Sequence, residues 1–141
     1  MAMALFQEKL RADPALRAWR STSAGVWAVD GQKASDLAVE TMARRRLDLS
    51  NHRSRNITED ILAKADLVLV MQASHKESLQ VEFPLHARKI YLLSEMIGEC
   101  FDVDDPFGGT AQEYELAANE IGAILDQGFS TILQKVDSNI H

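Results

Sequence analysis

Apolar positions at the two ends of the chain recur at helical spacing. Near the start, Leu5, Phe6 and Leu10 share one face until Asp13-Pro14 ends the pattern. No capping residue precedes that face. The strongest predicted helix begins after Thr110, and its buried face is expected to hold Tyr114, Ala117, Ala118, Ile121, Leu125, Ile132 and Val136.

Between these ends, shorter helices alternate with apolar runs that are typical of strands. The helices are predicted to begin at capping residues, at Ser35, Thr58 and Ser74. The strands are predicted over residues 19–24, 66–71 and 89–93, and the second contains the continuous apolar run Leu67-Val68-Leu69-Val70. Alternation of this kind predicts one α/β domain over residues 1–141, with a short parallel sheet between two layers of helices.

A stiff loop follows the third predicted strand, in the segment Asp104-Asp105-Pro106-Phe107-Gly108-Gly109. Pro106 fixes its own φ and biases Asp105 toward extended backbone, and the two glycines allow a sharp turn before the next helix. In a parallel sheet, chemistry is expected beyond the carboxyl ends of the strands. A carboxyl group held on a rigid loop at that edge suits a general acid, although an ordinary turn with a helix cap explains the same residues.

Composition and charge narrow the class of protein. The chain has 141 residues and a net charge of −6, which argues against a nucleic-acid partner despite a local arginine cluster at Arg44, Arg45, Arg46, Arg53 and Arg55. Apolar runs are too short to span a membrane, and no signal-peptide pattern is seen at the start. A single cysteine, Cys100, allows no internal disulfide, so a cytoplasmic location is expected.

The order of several short segments resembles the low-molecular-weight protein-tyrosine phosphatases from Met1 to about Phe129. These segments are Ser23-Ala24-Gly25, residues 49–55 with the sequence LSNHRSR, residues 65–71, Leu93-Ser94-Glu95-Met96 and the Asp105 loop. The resemblance implies a phosphate monoester hydrolase that acts on phosphotyrosine or similar aryl phosphates, with no metal and no cofactor.

The same resemblance implies roles for four residues. In the family, a cysteine thiolate attacks phosphorus while an aspartic acid protonates the leaving phenolate and then activates water. Asp105 matches that aspartate. Trp27 and Phe107 match the two aromatic walls of the substrate cleft, and His52 matches a histidine that braces the phosphate-binding loop. Three of them also have plainer interpretations: Trp27 as a loop tryptophan, Phe107 as a residue packed on its own turn and His52 as a local hydrogen-bonding histidine.

The chain departs from the family in its nucleophile. The family's Cys-x5-Arg-Ser loop lies between the first strand and the first helix, and it surrounds the phosphate with backbone N–H groups and an arginine. Here Met1 matches the start of that helix, and the residue six positions after Cys100 is Pro106. We therefore expect a family fold without its first, central strand, truncated at the N-terminus and inactive as printed.

Three hypotheses follow from that departure. The first is a phosphatase whose start was placed too late, and the second is a non-catalytic binding module of the same fold. The third is a relative of arsenate reductases, which the single cysteine disfavours because a disulfide relay needs a partner thiol. Unpaired sheet edges would also favour association of copies of the chain.

Overall fold

The computed structural model describes residues 1–26 and 29–140, which form two compact units. The first unit holds Met1–Ile57 and Pro106–Gly122, and the second holds Thr58–Asp105 and the residues from Ala123 on. A long helix, α5 (Ala111–Ile140), contributes residues to both units. The expectation of one domain over residues 1–141 stays a prediction.

The first unit contains the two helices that the sequence predicts near its start. Helix α1 spans Ala2–Arg11, and α2 spans Asp36–Ala43 with the Ser35 hydroxyl accepting the N–H of Ala38 as its cap. Their apolar faces meet around a buried cluster. Its buried members are Met42, Leu49 and Ala118, and partly buried Met1, Met3, Leu5, Ala38, Val39 and Leu47 pack against them.

Polar contacts join α2 to the start of α5 at the border of this cluster. The hydroxyl groups of Ser35 and Tyr114 are hydrogen-bonded at 2.9 Å. Arg45 pairs with Glu115 at 2.7 Å and donates to the side-chain oxygen of Asn119, also at 2.7 Å. Two members of the arginine cluster predicted from the sequence, Arg44 and Arg45, thus bind the carboxylate of Glu115.

The strand predicted over residues 19–24 is wrong, because this segment has no regular secondary structure. A strand requires a ladder of backbone hydrogen bonds, and the described chain offers one isolated parallel bridge, between Gly25 and Asn56. Before that bridge, the N–H of Ser21 donates to the side chain of Gln7 instead of to a neighbouring strand. The composition of residues 19–24 is compatible with a strand, but it does not provide the neighbouring strand that a ladder requires.

The second unit contains the parallel sheet. Strand β1 (Val68–Val70) pairs in parallel with β2 (Ile90–Leu92), with Leu69 opposite Tyr91. Helices α3 (Glu59–Lys64) and α4 (Ala73–Glu82) flank β1 in the chain, and 3-10 turns span Pro84–Lys89 and Leu93–Ile97. Both strands and the α/β class are therefore confirmed. Association of copies through the sheet edges stays a prediction.

Helix α4 begins one residue before its predicted cap, Ser74. Its first residue, Ala73, donates its N–H to the Asp102 carboxylate at 2.8 Å. A carboxylate 29 residues further along the chain thus satisfies a free N–H group at this helix end. The capping prediction at Ser74 failed because the real acceptor is distant in sequence.

Helix α5 packs closely on the 3-10 turn Leu93–Ile97 at Gly128. A Cβ atom at Gly128 would lie 2.8 Å from the Cβ and 3.1 Å from the carbonyl oxygen of Met96. Gly128 and Met96 are both buried, so neither residue can relieve a clash by moving into solvent. The contact therefore requires glycine, which has no Cβ atom, at position 128.

Replacing Gly128 with alanine should destabilise the fold by roughly 1–3 kcal/mol, because the clash outweighs alanine's helix propensity of about 1 kcal/mol. The matched control is Gly122→Ala on the same helix, where an added Cβ meets nothing within 4 Å. That variant should be stabilised by about 0.5–1 kcal/mol. Urea unfolding of both variants checks this, and equal stabilisation of the two would contradict the close contact.

Candidate active site

The loop after Asp105 folds as the closed turn that its proline and glycines predict. The N–H of Gly109 donates to the carbonyl oxygen of Pro106 at 2.8 Å. Gly108 has a φ of 82°, which favours glycine. A Cβ at Gly109 would lie 2.6 Å from a carboxylate oxygen of Glu113 and 2.9 Å from the carbonyl oxygen of Pro106, so the turn requires glycine there as well.

A capping box connects this turn to α5. The N–H of Glu113 donates to the Thr110 hydroxyl at 3.2 Å, while the N–H and hydroxyl of Thr110 donate to the Glu113 carboxylate at 3.5 and 3.3 Å. A threonine followed three residues later by a glutamate is the sequence pattern of such a box. Turn and cap together leave little conformational freedom to residues 106–110.

The segment before Asp105 is attached to the carboxyl end of β1. The N–H of Val103 donates to the carbonyl oxygen of Met71, the residue directly after β1, at 2.8 Å. The Val103 side chain is buried, and the Asp102 carboxylate holds the start of α4. The chain therefore reaches Asp105 from the carboxyl edge of the parallel sheet, where active sites of such sheets form.

Asp105 and Phe107 lie on either side of Pro106 in sequence and both side chains are exposed. Phe107 is 78% exposed, an unusual position for a large aromatic ring. Asp105 ends the segment Thr58–Asp105 of the second unit, and Phe107 belongs to the first unit. Their roles as general acid and as aromatic wall remain predictions.

His52 lies in a loop of the first unit that is fixed by its own backbone. Its N–H donates to the carbonyl oxygen of Leu49 at 3.1 Å, and its carbonyl oxygen accepts the Arg53 guanidinium at 2.8 Å. Burial, followed by the positive charges of the chain's amino terminus and of Arg53, lowers the pKa of His52. A neutral imidazole, able both to donate and to accept a hydrogen bond, is therefore favoured near neutral pH.

Trp27 and Cys100 are the other two residues that the sequence analysis singles out. Trp27 lies outside the described residues. Cys100 is a free, exposed thiol in the loop before Asp102. Among the described residues no group of three or more histidine, cysteine, aspartate or glutamate side chains could hold a metal ion.

Sequence reasoning missed two residues that position the loop, Asp102 and Val103. Asp102 was visible only as one of several acidic residues near Cys100. Nothing local marks it as the cap of a helix that starts 29 residues earlier. The sequence signal for Val103 was an apolar residue between two acidic ones, and the structure shows that its side chain is buried.

Comparison with known proteins assigns the family. The family model for the low molecular weight phosphotyrosine protein phosphatases matches residues 1–139, nearly the whole chain. The chain belongs to this family. The resemblance seen in the sequence is thus confirmed, while the absence of the nucleophile loop stays an observation on the 141 printed residues.

Curated relatives carry two kinds of phosphatase name. One is the probable low molecular weight protein-tyrosine-phosphatase EpsP of Ralstonia solanacearum, 38% identical over 93 residues. That match covers 66% of this chain and 63% of the relative's length. Another is the protein-arginine-phosphatase of Bacillus subtilis, 38% identical over 106 residues, which are 74% of this chain and 70% of the relative.

Solved structures show the same phosphatase fold. The low molecular weight protein tyrosine phosphatase from T. tengcongensis superposes with a TM-score of 0.86 at 37% identity, covering 92% of this chain and 88% of that one. The YwlE arginine phosphatase from Geobacillus stearothermophilus gives a TM-score of 0.84 at 28% identity, covering 96% of this chain and 86% of that one.

In the described part of the chain, no helix has the length and apolar character needed to cross a membrane. A cytoplasmic location stays a prediction.

The lowered pKa of His52 predicts a pH dependence of stability. Below the unfolded-state value of about 6.5, the unfolded chain takes up this proton before the folded chain does, so unfolding becomes easier as pH falls toward the folded-state pKa. In His52→Asn this contribution is absent, and the loss of unfolding free energy between pH 7.5 and 5 should be smaller.

Urea unfolding at several pH values measures that loss. The variant His75→Asn, at an exposed position of α4, controls for the removal of a histidine and should change the slope less. Identical pH profiles for the wild type and His52→Asn would contradict the assignment of a depressed pKa to this residue.

Proposed function

We propose that this domain serves the hydrolysis of phosphate monoesters on phosphorylated proteins, with Asp105 as proton donor to the leaving group. The supporting observation is the hydrogen bond between Val103 and Met71, which brings the chain to Asp105 from the carboxyl edge of the sheet. A general acid must keep a fixed geometry to its leaving oxygen, and the segment before Asp105 is held by this hydrogen bond and by the buried Val103 side chain.

The proposed reaction has two steps. A cysteine thiolate attacks phosphorus and the P–O bond breaks, while the Asp105 carboxyl group gives its proton to the leaving oxygen. The Asp105 carboxylate then takes a proton from water as that water attacks the cysteinyl-phosphate. Inorganic phosphate leaves, and the thiolate and the carboxylic acid are regenerated.

The proposed substrate is a phosphorylated side chain with a flat leaving group. Relatives named for tyrosine and for arginine phosphatase activity are similarly distant from this chain, at 38% identity each. The exposed ring of Phe107 supports stacking on a planar group. We favour phosphotyrosine, with Trp27 as the second wall and His52 bracing the phosphate site, and phosphoarginine is the competitor that an assay must include.

The nucleophile for this reaction is not among the 141 residues. Cys100, the single cysteine, is followed six positions later by Pro106 instead of arginine. Loss of a nucleophile and of the N–H groups that stabilise charge at phosphorus removes several kcal/mol of transition-state stabilisation. We therefore propose that the 141-residue polypeptide has no phosphatase activity by itself.

A second candidate function is a non-catalytic module that binds a phosphorylated partner. Cys100, which has Pro106 in place of an arginine six positions later, motivates this candidate. Reading the gene upstream of Met1 separates the two candidates. In-frame codons for Cys-x5-Arg-Ser would favour the phosphatase, and a stop codon directly upstream would favour the binding module.

The role of Asp105 can be tested in a hybrid that carries the first strand and the Cys-x5-Arg-Ser loop of a solved relative before Met1. Asp105→Asn should lower kcat for phosphotyrosine peptides by roughly 10²- to 10⁴-fold, because the leaving phenolate then departs unprotonated. The matched control is Asp104→Asn, which removes the neighbouring carboxylate and should stay near the unmodified hybrid.

The unmodified hybrid is assayed on phosphotyrosine and phosphoarginine peptides at equal concentration. Circular dichroism of each variant verifies folding. Equal effects of the two substitutions, or no effect of Asp105→Asn in an active hybrid, would contradict the assignment of Asp105 as the proton donor.

A further inference from the structure

An open groove of about 490 Å³ lies in the second unit, and neither Asp105, His52 nor Phe107 is among the residues that line it. One wall is a face of α5 that presents Gln127, Thr131 and Lys135, which are spaced by four residues and so share one side of the helix. The other wall is the turn from Glu95 to Gly98. The close contact between Gly128 and Met96 sets the distance between the walls.

The carboxylate of Glu95 is already satisfied by its own neighbours. It accepts the Lys76 ammonium at 2.9 and 3.1 Å and the N–H of Leu92 at 2.6 Å. Burial opposes ionisation of Glu95, but these hydrogen bonds and the charges of Lys76 and Lys135 outweigh it and lower the pKa of the carboxyl group. Glu95 is therefore an anion with one bound cation, Lys76.

Lys135 is a second cation beside this pair. Its ammonium nitrogen lies 4.3 Å from the centroid of the Tyr91 ring, with Lys76 at 5.8 Å from the same centroid. The ring orients the Lys135 ammonium, yet Lys135 forms no ion pair with any residue that the structure describes. Lys76 and Glu95 offset each other's charge as an ion pair, and Lys135 adds one further positive charge to the groove lining.

We propose that this groove binds a small monocarboxylate through its carboxylate group. The Lys135 ammonium supplies the charge, and the half-buried Thr131 hydroxyl, one helical turn away, supplies a second donor on the same face. A monoanion neutralises the site. A phosphate dianion would place excess negative charge next to Glu95 and is disfavoured.

Sodium propionate is the probe, titrated into the 141-residue chain at pH 8 and followed by amide chemical shifts. Saturable shifts at Gly98, Thr131 and Lys135 are expected, with a Kd on the order of 10 mM for so small a ligand. Sodium chloride at the same concentration controls for ionic strength. Inorganic phosphate, a dianion at this pH, should bind at least several-fold more weakly.

Two variants make the test specific. Lys135→Met keeps an unbranched side chain at this position, removes the charge that lies over the Tyr91 ring and should abolish saturation. The matched control Lys64→Met removes an exposed lysine of the same unit, paired with Asp60, and should leave the titration unchanged. Thr131→Val, which retains both lysines, should weaken binding several-fold.

Three results would overturn the proposal. They are linear shifts that sodium chloride reproduces, saturation that survives in Lys135→Met, and tighter binding of inorganic phosphate than of propionate. The amide spectra of the variants also report whether each is folded. The site does not depend on the proposed phosphatase reaction, because neither Asp105 nor the nucleophile takes part.

Discussion

The hydrogen bond from the N–H of Val103 to the carbonyl oxygen of Met71 is the contact on which the position of the candidate acid depends. It joins a loop without regular secondary structure to the carboxyl end of β1. The buried Val103 side chain and the Asp102 cap on α4 hold the same segment. Two residues later the chain reaches Asp105, and Pro106 limits the backbone from there on.

Features set by local physics were predictable from the sequence. Apolar residues that recur at helical spacing identified α5, and two apolar runs identified β1 and β2. The capping box of Thr110 and Glu113 uses residues three apart, so its pattern is visible in the sequence. Features that depend on distant partners were not predictable. The segment 19–24 resembles a strand in composition but lacks a ladder, and Asp102 caps a helix through a contact that no local pattern reveals.

The same distinction between local and distant causes applies to the candidate site. The turn after Asp105 follows from one proline and two glycines, whose conformational limits are intrinsic to the residues. The attachment of the loop to Met71 does not follow from any of them, because it needs a contact between residues that are 32 positions apart in the chain. Resemblance to a family assigned roles to Trp27, Phe107 and His52 that residue patterns alone could not supply.

The central proposal is that these 141 residues hold a phosphatase scaffold with Asp105 as proton donor, and that they need the Cys-x5-Arg-Ser loop for turnover. The most direct measurement compares hydrolysis of para-nitrophenyl phosphate by the 141-residue polypeptide and by the hybrid that restores the Cys-x5-Arg-Ser loop. The account predicts no turnover above background for the first and phosphatase turnover for the second. Turnover by the purified 141-residue polypeptide, or a folded hybrid without activity, would contradict it.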